Sequence, residues 1–318
     1  MQHLPKYLST CLLGVAALVV GTAPAWAQTV PDLGMASDFA VLSVGTATGN
    51  PPPSPDATGA VTLTGSALTG DVGSAGALTL TGSPITGDLV YSGALANTGS
   101  TISGTSTQPL PAQVVVDFNT AYDQYAAIPC TGNLNTVYTG ETVTLPPGVY
   151  CNAAAVTFTN TTLRLAGPSN GIWIFKIGTG GTGALTGTGL SVVMANGGVG
   201  CNVNWWVAEA ATITTSGFQG TILAGAAITA TGTAGSTTSF NGNALAKAAV
   251  TLTDFSVIGC DGIQPPSCDK DHKHHKHHKH HKHHKHDKHD KHHKHDKHDK
   301  HCDKDDHGND NEDNDNDD

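Results

Sequence analysis

Runs of four residues in which apolar and polar side chains alternate mark much of the chain. Val61-Thr62-Leu63-Thr64 is the simplest of them, and a period of two belongs to a strand with one buried and one wet face. The alternation sends Val61, Leu63, Ile228, Ala230, Val250 and Leu252 inward, and Thr62, Thr64, Thr229, Thr231, Thr251 and Thr253 outward. These runs recur at constant offsets. VTLTGSALTGDV (61–72) returns 17 residues later as LTLTGSPITGDL (78–89), with eight of twelve positions identical, and a degenerate third copy, GSTISGT, occupies 99–105. FQGTILAGAAITAT (218–231) returns 22 residues later as FNGNALAKAAVTLT (240–253), with eight of fourteen identical. Repeats of about 20 residues with glycine at the corners predict an all-β chain wound as a β-solenoid, in which each coil lends short strands to parallel faces. An antiparallel sandwich would also show short strands and glycine turns, but gives no reason for near-identical copies at a fixed spacing.

Three segments depart from simple alternation. Within 109–128, Val114, Val115, Phe118, Ala121, Tyr122 and Tyr125 fall at helical spacing, and Pro129 follows as a stop. The reading is one amphipathic helix laid along the solenoid, covering an apolar face that would otherwise be exposed. Ile172 to Ile177 is apolar except for Lys176, which suits a strand covered on both sides. Trp205 and Trp206 are adjacent, so in a strand one ring points inward and the other outward, the outward one packed or partly covered rather than free for a ligand.

Charge divides the chain in two. Only 13% of residues are charged, against roughly a quarter in an average soluble protein. Residues 28–267 hold 11 acidic and 3 basic side chains (Arg164, Lys176 and Lys247), while 268–318 hold 12 Lys, 15 acidic residues and 17 of the 18 His. A body with three basic residues has no electrostatic footprint for nucleic acid. The remaining histidine, His3, lies near the start of the chain, so the body has no imidazole for a nucleophilic triad or a His-ligated metal. Asp71 and Asp88 occupy equivalent repeat positions, and stacked coils would bring together two acids of the kind glycosidases or calcium sites use. No basic partner or aromatic sugar platform accompanies them, and Asp after Gly is a turn residue bonded to its own backbone. The body therefore reads as a non-enzyme without a cofactor.

Residues 1–27 read as a secretory signal peptide: a weakly basic start around Lys6, an apolar run from Cys11 to Val20, and small residues ending in Ala25-Trp26-Ala27. The apolar run is far short of the ~20 residues that span a bilayer, so cleavage after Ala27 leaves a secreted, extracellular or periplasmic chain with no transmembrane segment. Six cysteines then remain in an oxidising compartment, where disulfides are the default. Many pairings are possible; Cys130 with Cys151 and Cys201 with Cys260 come first, because each would tie the ends of one structural segment.

The expected organisation is a solenoid domain at 28–261, a linker at 262–268 and a disordered tail at 269–318, which lacks the apolar periodicity needed to bury a core. Neutral imidazoles at His274, His275, His277, His278, His280, His281, His283, His284 and His286 suit Zn, Ni or Cu, with no preformed site required. Cys268 and Cys302 bracket the tract and could pair, link chains or bind metal. The tail is also a pH-dependent polyelectrolyte. Its net charge of −3 with histidine neutral becomes +14 with all 17 protonated, a reversal through the usual histidine pKa of about 6.5. In acid it could hold an acidic polysaccharide or cell surface.

In order along the chain, LGMASDFAVLS (33–43), AYDQYAAIPC (121–130), LPPGVYC (145–151), GIWIFKIG (171–178), GCNVNWWVAEAATI (200–213) and the paired F-x-G-x-x-L-A segments resemble the secreted ice-binding protein family of bacteria and microbial eukaryotes. The resemblance covers residues 32–260. It implies a right-handed, discontinuous parallel β-solenoid with one long α-helix alongside, and it implies ice-crystal binding with inhibition of growth or recrystallisation. The family looks mixed, so an extracellular structural or adhesion module of the same fold is the alternative. Thr carries a hydroxyl and a methyl on a stiff χ1, and Thr-x-Thr pairs stand at Thr62/Thr64, Thr79/Thr81, Thr212/Thr214, Thr229/Thr231 and Thr251/Thr253. Spacings of about 6.6–7 Å along a strand and about 4.8 Å between coils make these ten the candidate ice-binding lattice. The C-terminal six are the favoured set, since coils of a discontinuous solenoid need not stack in chain order.

Overall fold

The computed structural model describes residues 29–46, 58–234 and 239–260. Every strand pairing among them is parallel, coil upon coil, which excludes the antiparallel sandwich. Each coil contributes short strands to three sides. One is a ten-stranded sheet that carries the helix, one a nine-stranded sheet of Thr-x-Thr runs, and the third is divided into a three-stranded and a four-stranded sheet. The 17- and 22-residue repeat offsets are therefore single turns of a β-solenoid.

The stacking order is not the chain order. The nine-stranded sheet runs Val137–Thr139, Val156–Thr159, Leu185–Thr188, Ala211–Thr214, Ile228–Thr231, Val250–Thr253, Val61–Thr64, Leu78–Thr81, Leu95–Thr98. The last C-terminal coil pairs with the first N-terminal one, Val250 opposite Val61 and Thr253 opposite Thr64. On the helix-bearing side, Phe39–Ser43 closes the same junction between Ala244–Ala246 and Asp71–Ser74. Leu95–Thr98 and Val137–Thr139 consequently sit at opposite ends of the sheet, about 38 Å apart at the usual strand spacing.

The chain must cross that distance between residues 98 and 137, and α1 (Ala112–Ala127) spans about 24 Å of it at 1.5 Å per residue. The helix is thus a return connection imposed by the topology as well as a cover. Its buried side chains are Val114, Val115, Phe118, Ala121, Tyr122 and Tyr125, the set given by helical spacing. Trp206 lies beneath it, 5.3 Å from the Tyr122 ring, and its Nε1 donates to the Tyr122 carbonyl at 3.0 Å. The Tyr122 hydroxyl donates to the Val207 carbonyl at 3.0 Å, and that of Tyr125 to Asn204 Oδ1 at 2.8 Å. Trp173–Ile177 is buried on both sides, Lys176 included. Lys176 Nζ donates to the carbonyls of Ala126 and Ile128 at 2.7 and 2.6 Å, acceptors that a helix end leaves without partners. Burial holds its pKa below the ordinary lysine value.

Inside the solenoid the two blocks are filled differently. The C-terminal block has a file of rings: Phe175 stacks on Trp205 at 4.1 Å, Trp205 meets Phe218 at 5.0 Å, and Phe218 meets Phe240 at 5.2 Å. The N-terminal block is filled by Val61, Leu63, Leu68, Leu78, Leu80, Ile85 and Leu89. Burying each such aliphatic side chain stabilises by about 1.5–3 kcal/mol. Among the described residues two disulfides are present, Cys130–Cys151 and Cys201–Cys260. The first joins the exit of α1 to the strand Gly148–Asn152; the second holds residue 260 to the turn Gly200–Asn202. The expected leader, linker and tail, with Cys268, Cys302 and the histidines from His274 to His286, lie outside the described residues.

Candidate functional site

In the nine-stranded sheet the inward positions are buried aliphatic or aromatic residues in most coils, so the alternate positions face out. Strand register converts those positions into two columns. One reads Val137, Thr157, Thr186, Thr212, Thr229, Thr251, Thr62, Thr79, Ala96. The other reads Thr139, Thr159, Thr188, Thr214, Thr231, Thr253, Thr64, Thr81, Thr98, threonine in all nine coils. Neither column contains a charge. At ordinary sheet spacings the lattice measures about 6.6–7 Å by about 4.8 Å over about 38 Å.

The local sequence keeps this wall regular at both margins. Before each pair, the corner residue is Ala155, Ala184, Ala210, Ala227, Ala249, Ala60, Ala77 or Ala94, with Asn135 in the end coil, and in eight of the nine coils a methyl keeps that margin low. After each pair comes Gly140, Asn160, Gly189, Thr215, Gly232, Asp254, Gly65, Gly82 or Gly99, and all but Gly232 have a left-handed backbone. Except for Gly99 in the last coil, their N–H groups donate to the carbonyl of the second-column threonine on the adjoining coil, as in Thr215 to Thr231 at 2.8 Å and Asp254 to Thr64 at 2.8 Å. Behind this corner, hydroxyls bond the same threonines' carbonyls: Thr161 to Thr159, Ser216 to Thr214, Ser66 to Thr64 and Ser83 to Thr81, at 2.9–3.1 Å. Ser66, Ser83 and Ser216 are buried, so the turn polar groups are satisfied without reaching onto the outer face.

All ten threonines singled out in the sequence stand on this sheet: Thr62, Thr64, Thr79 and Thr81 from the N-terminal block, Thr212, Thr214, Thr229, Thr231, Thr251 and Thr253 from the C-terminal block. The two sets are contiguous, the favoured C-terminal six adjoining the N-terminal four across the Thr251–Thr62 and Thr253–Thr64 pairs. Six further members were missed. Thr157 and Thr159 follow the same Thr-x-Thr rule, and Thr186 and Thr188 were disguised by Gly187 at the inward position. Thr98 and Thr139 belong to end strands in which Ala96 and Val137 replace the first threonine.

The paired-acid alternative dissolves on geometry. Asp71 Oδ1 accepts the Asp88 N–H at 2.7 Å, and Asp88 Oδ1 accepts the Thr105 N–H at 2.6 Å. Each carboxylate bonds the next coil's backbone rather than its own, correcting the expected turn bond, because stacked coils place that N–H nearer. Trp205 is fully buried in the ring file and Trp206 lies under α1, so neither ring is an open platform. Among the described residues no group of three or more His, Cys, Asp or Glu side chains is placed to hold a metal, and no helix is long and apolar enough to cross a membrane.

Solved structures share this arrangement. An ice-binding protein from the Antarctic ascomycete Antarctomyces psychrotrophicus is 26% identical, with a TM-score of 0.51, covering 72% of this chain and 98% of that one. One from an Antarctic bacterium of the Flavobacteriaceae is 27% identical, with a TM-score of 0.53, over 76% of this chain and 49% of that one. One from an Antarctic biological consortium is 25% identical, with a TM-score of 0.53, over 73% and 92%. No curated protein matches. The sequence profile of the family described as ice-binding-like matches residues 56–258, and that family is non-enzymatic and of the antifreeze type. With its interleaved solenoid, return helix and matching profile, the chain belongs to the ice-binding-like family.

Proposed function

We propose that the protein is secreted and adsorbs to ice through the nine-stranded threonine wall, inhibiting growth or recrystallisation. The observation that carries this reading is the pair of in-register columns, uncharged and outward-facing, interrupted only at Val137 and Ala96. Rigid, regularly spaced hydroxyls and methyls hold water in an ordered layer that can merge with a crystal face, and threonine supplies both groups with little rotamer freedom. Growth between adsorbed molecules is then slowed because the advancing surface must curve. The ice-binding proteins sharing the fold support the activity, and the two disulfides accord with an oxidising compartment.

The test is an ice-recrystallisation assay with the purified secreted chain, alongside Thr231→Tyr. The wild type is expected to suppress crystal coarsening, and the ring on the wall to weaken that suppression several-fold without lowering the melting temperature. A wild type without effect on ice would sink the reading and favour an extracellular structural or adhesion module of the same fold.

The histidine-rich segment is assigned divalent transition-metal binding, from the spacing of His274, His275, His277, His278, His280, His281, His283, His284 and His286. Calorimetric titration with Zn²⁺ should give heats that vanish on deleting residues 269–318. Unchanged heats after that deletion would remove the assignment.

A further inference from the structure

Among the described residues four non-glycines have a left-handed backbone: Asn160 (φ 47°), Asn196 (φ 57°), Thr215 (φ 47°) and Asp254 (φ 51°). Asparagine and aspartate tolerate that region, whereas a β-branched residue there is a genuine outlier. Thr215 is the β-branched one. It occupies the corner directly after Thr214, where five other coils place a left-handed glycine, so the fold needs only a glycine at this position. Its side chain is exposed and makes no hydrogen bond among the described residues. Its backbone bond to Thr231 does not depend on the side chain. The hydroxyl thus makes no hydrogen bond that would hold the strained backbone in place, and strain kept without such a return points to function.

The neighbouring corners supply a pattern. In stacking order the second margin reads Gly140, Asn160, Gly189, Thr215, Gly232, Asp254, Gly65, Gly82, Gly99, so side chains stand at alternate coils across the middle of the wall. Coil spacing separates Asn160, Thr215 and Asp254 by about 9–10 Å each. Glycine between them is partly enforced. A Cβ on Gly189 would meet Asn160 Oδ1 at 2.5 Å, one on Gly65 would overlap Asp254 Oδ1, and one on Gly232 would overlap the Asp254 carbonyl. Asn160 and Asp254 thus each lean along the margin over an adjoining glycine, while Thr215 stands between two glycines.

We propose that Asn160, Thr215 and Asp254 form a third, double-spaced row of the ice-docking wall, with Thr215 as its central and most strained member. The inference rests on the reading of the wall as an ice surface and adds the residues that widen it beyond the two columns. A row at twice the coil spacing also breaks the sideways symmetry of the wall: one margin carries spaced polar groups, the other alanine methyls. This asymmetry gives the adsorbed molecule a preferred orientation on a crystal plane.

Three variants of the full chain test this, with ice-recrystallisation inhibition and melting temperature read together. Thr215→Gly removes the strain and the hydroxyl, so the melting temperature is expected to rise by about 2–4 °C while inhibition weakens roughly three-fold. Thr215→Asn suits the backbone and restores a polar side chain, so it should recover part of the inhibition. Gly82→Thr adds the same group where a Cβ meets nothing within 4 Å, and should strengthen inhibition while lowering the melting temperature. Thr215→Gly with wild-type inhibition overturns the inference while leaving the two columns intact. A fall in its melting temperature would show that Thr215 serves the fold, and would overturn it equally. A wild type inactive on ice defeats the underlying reading instead, a separate outcome.

Discussion

The two blocks of the solenoid build one surface from different materials. The N-terminal coils repeat at 17 residues and pack aliphatic side chains; the C-terminal coils vary in length, with strand offsets from 17 to 29, and pack a file of aromatic rings. Outside, the difference disappears. Thr64 continues the column of Thr253, and Thr62 that of Thr251, across a junction between residues nearly 190 positions apart in sequence. The wall thus depends on strand register and corner geometry rather than on how each coil is filled, because a larger coil adds length at the other two sides and leaves the Thr-x-Thr strand unchanged.

That comparison can be broken most forcefully from inside. Trp205 contacts rings on several coils, so Trp205→Ala should cost about 3–5 kcal/mol in denaturant unfolding. Leu63→Ala in the aliphatic block should cost about 2–4 kcal/mol; a larger cost at Leu63 would mean that the ring file is not the stronger core. Next comes the return helix, which alone joins the blocks along the chain. Lys176→Met leaves the Ala126 and Ile128 carbonyls without their donor, with an expected loss of about 1–3 kcal/mol. An unchanged unfolding midpoint would show that the helix end finds other partners. Smallest in stability, within about 0.5 kcal/mol, are Thr64→Tyr and Thr231→Tyr on the outer wall. Both should weaken recrystallisation inhibition to a similar degree, one from each block. A defect confined to Thr231→Tyr would mean that only the C-terminal coils dock, however continuous the columns.

Much of this was legible along the chain. Alternation in Val61–Thr64 and Ile228–Thr231 gave the inward and outward sides, because a strand's period is two whatever it packs against. The six buried positions of α1 followed from helical spacing. Thr186 and Thr188 were hidden, since Gly187 breaks the apolar alternation while still pointing inward beside Ile213 and Leu190. The bonds of Asp71 and Asp88 were misjudged, because a Gly-Asp turn read in isolation offers its own backbone, whereas a stacked coil brings a closer N–H from a residue 17 positions away.

The sequence by itself determined the coil: strand, corner glycine, outward threonine and helix are local choices set by side-chain period and backbone sterics. It did not determine the order of stacking. Which coil meets which is decided by long-range pairing and by a return helix long enough to let the last coil dock on the first, and no local propensity encodes such a junction. Only the tertiary structure therefore joined two separate repeats into one nine-coil wall, and only there did the alternate side chains at its corner become a row.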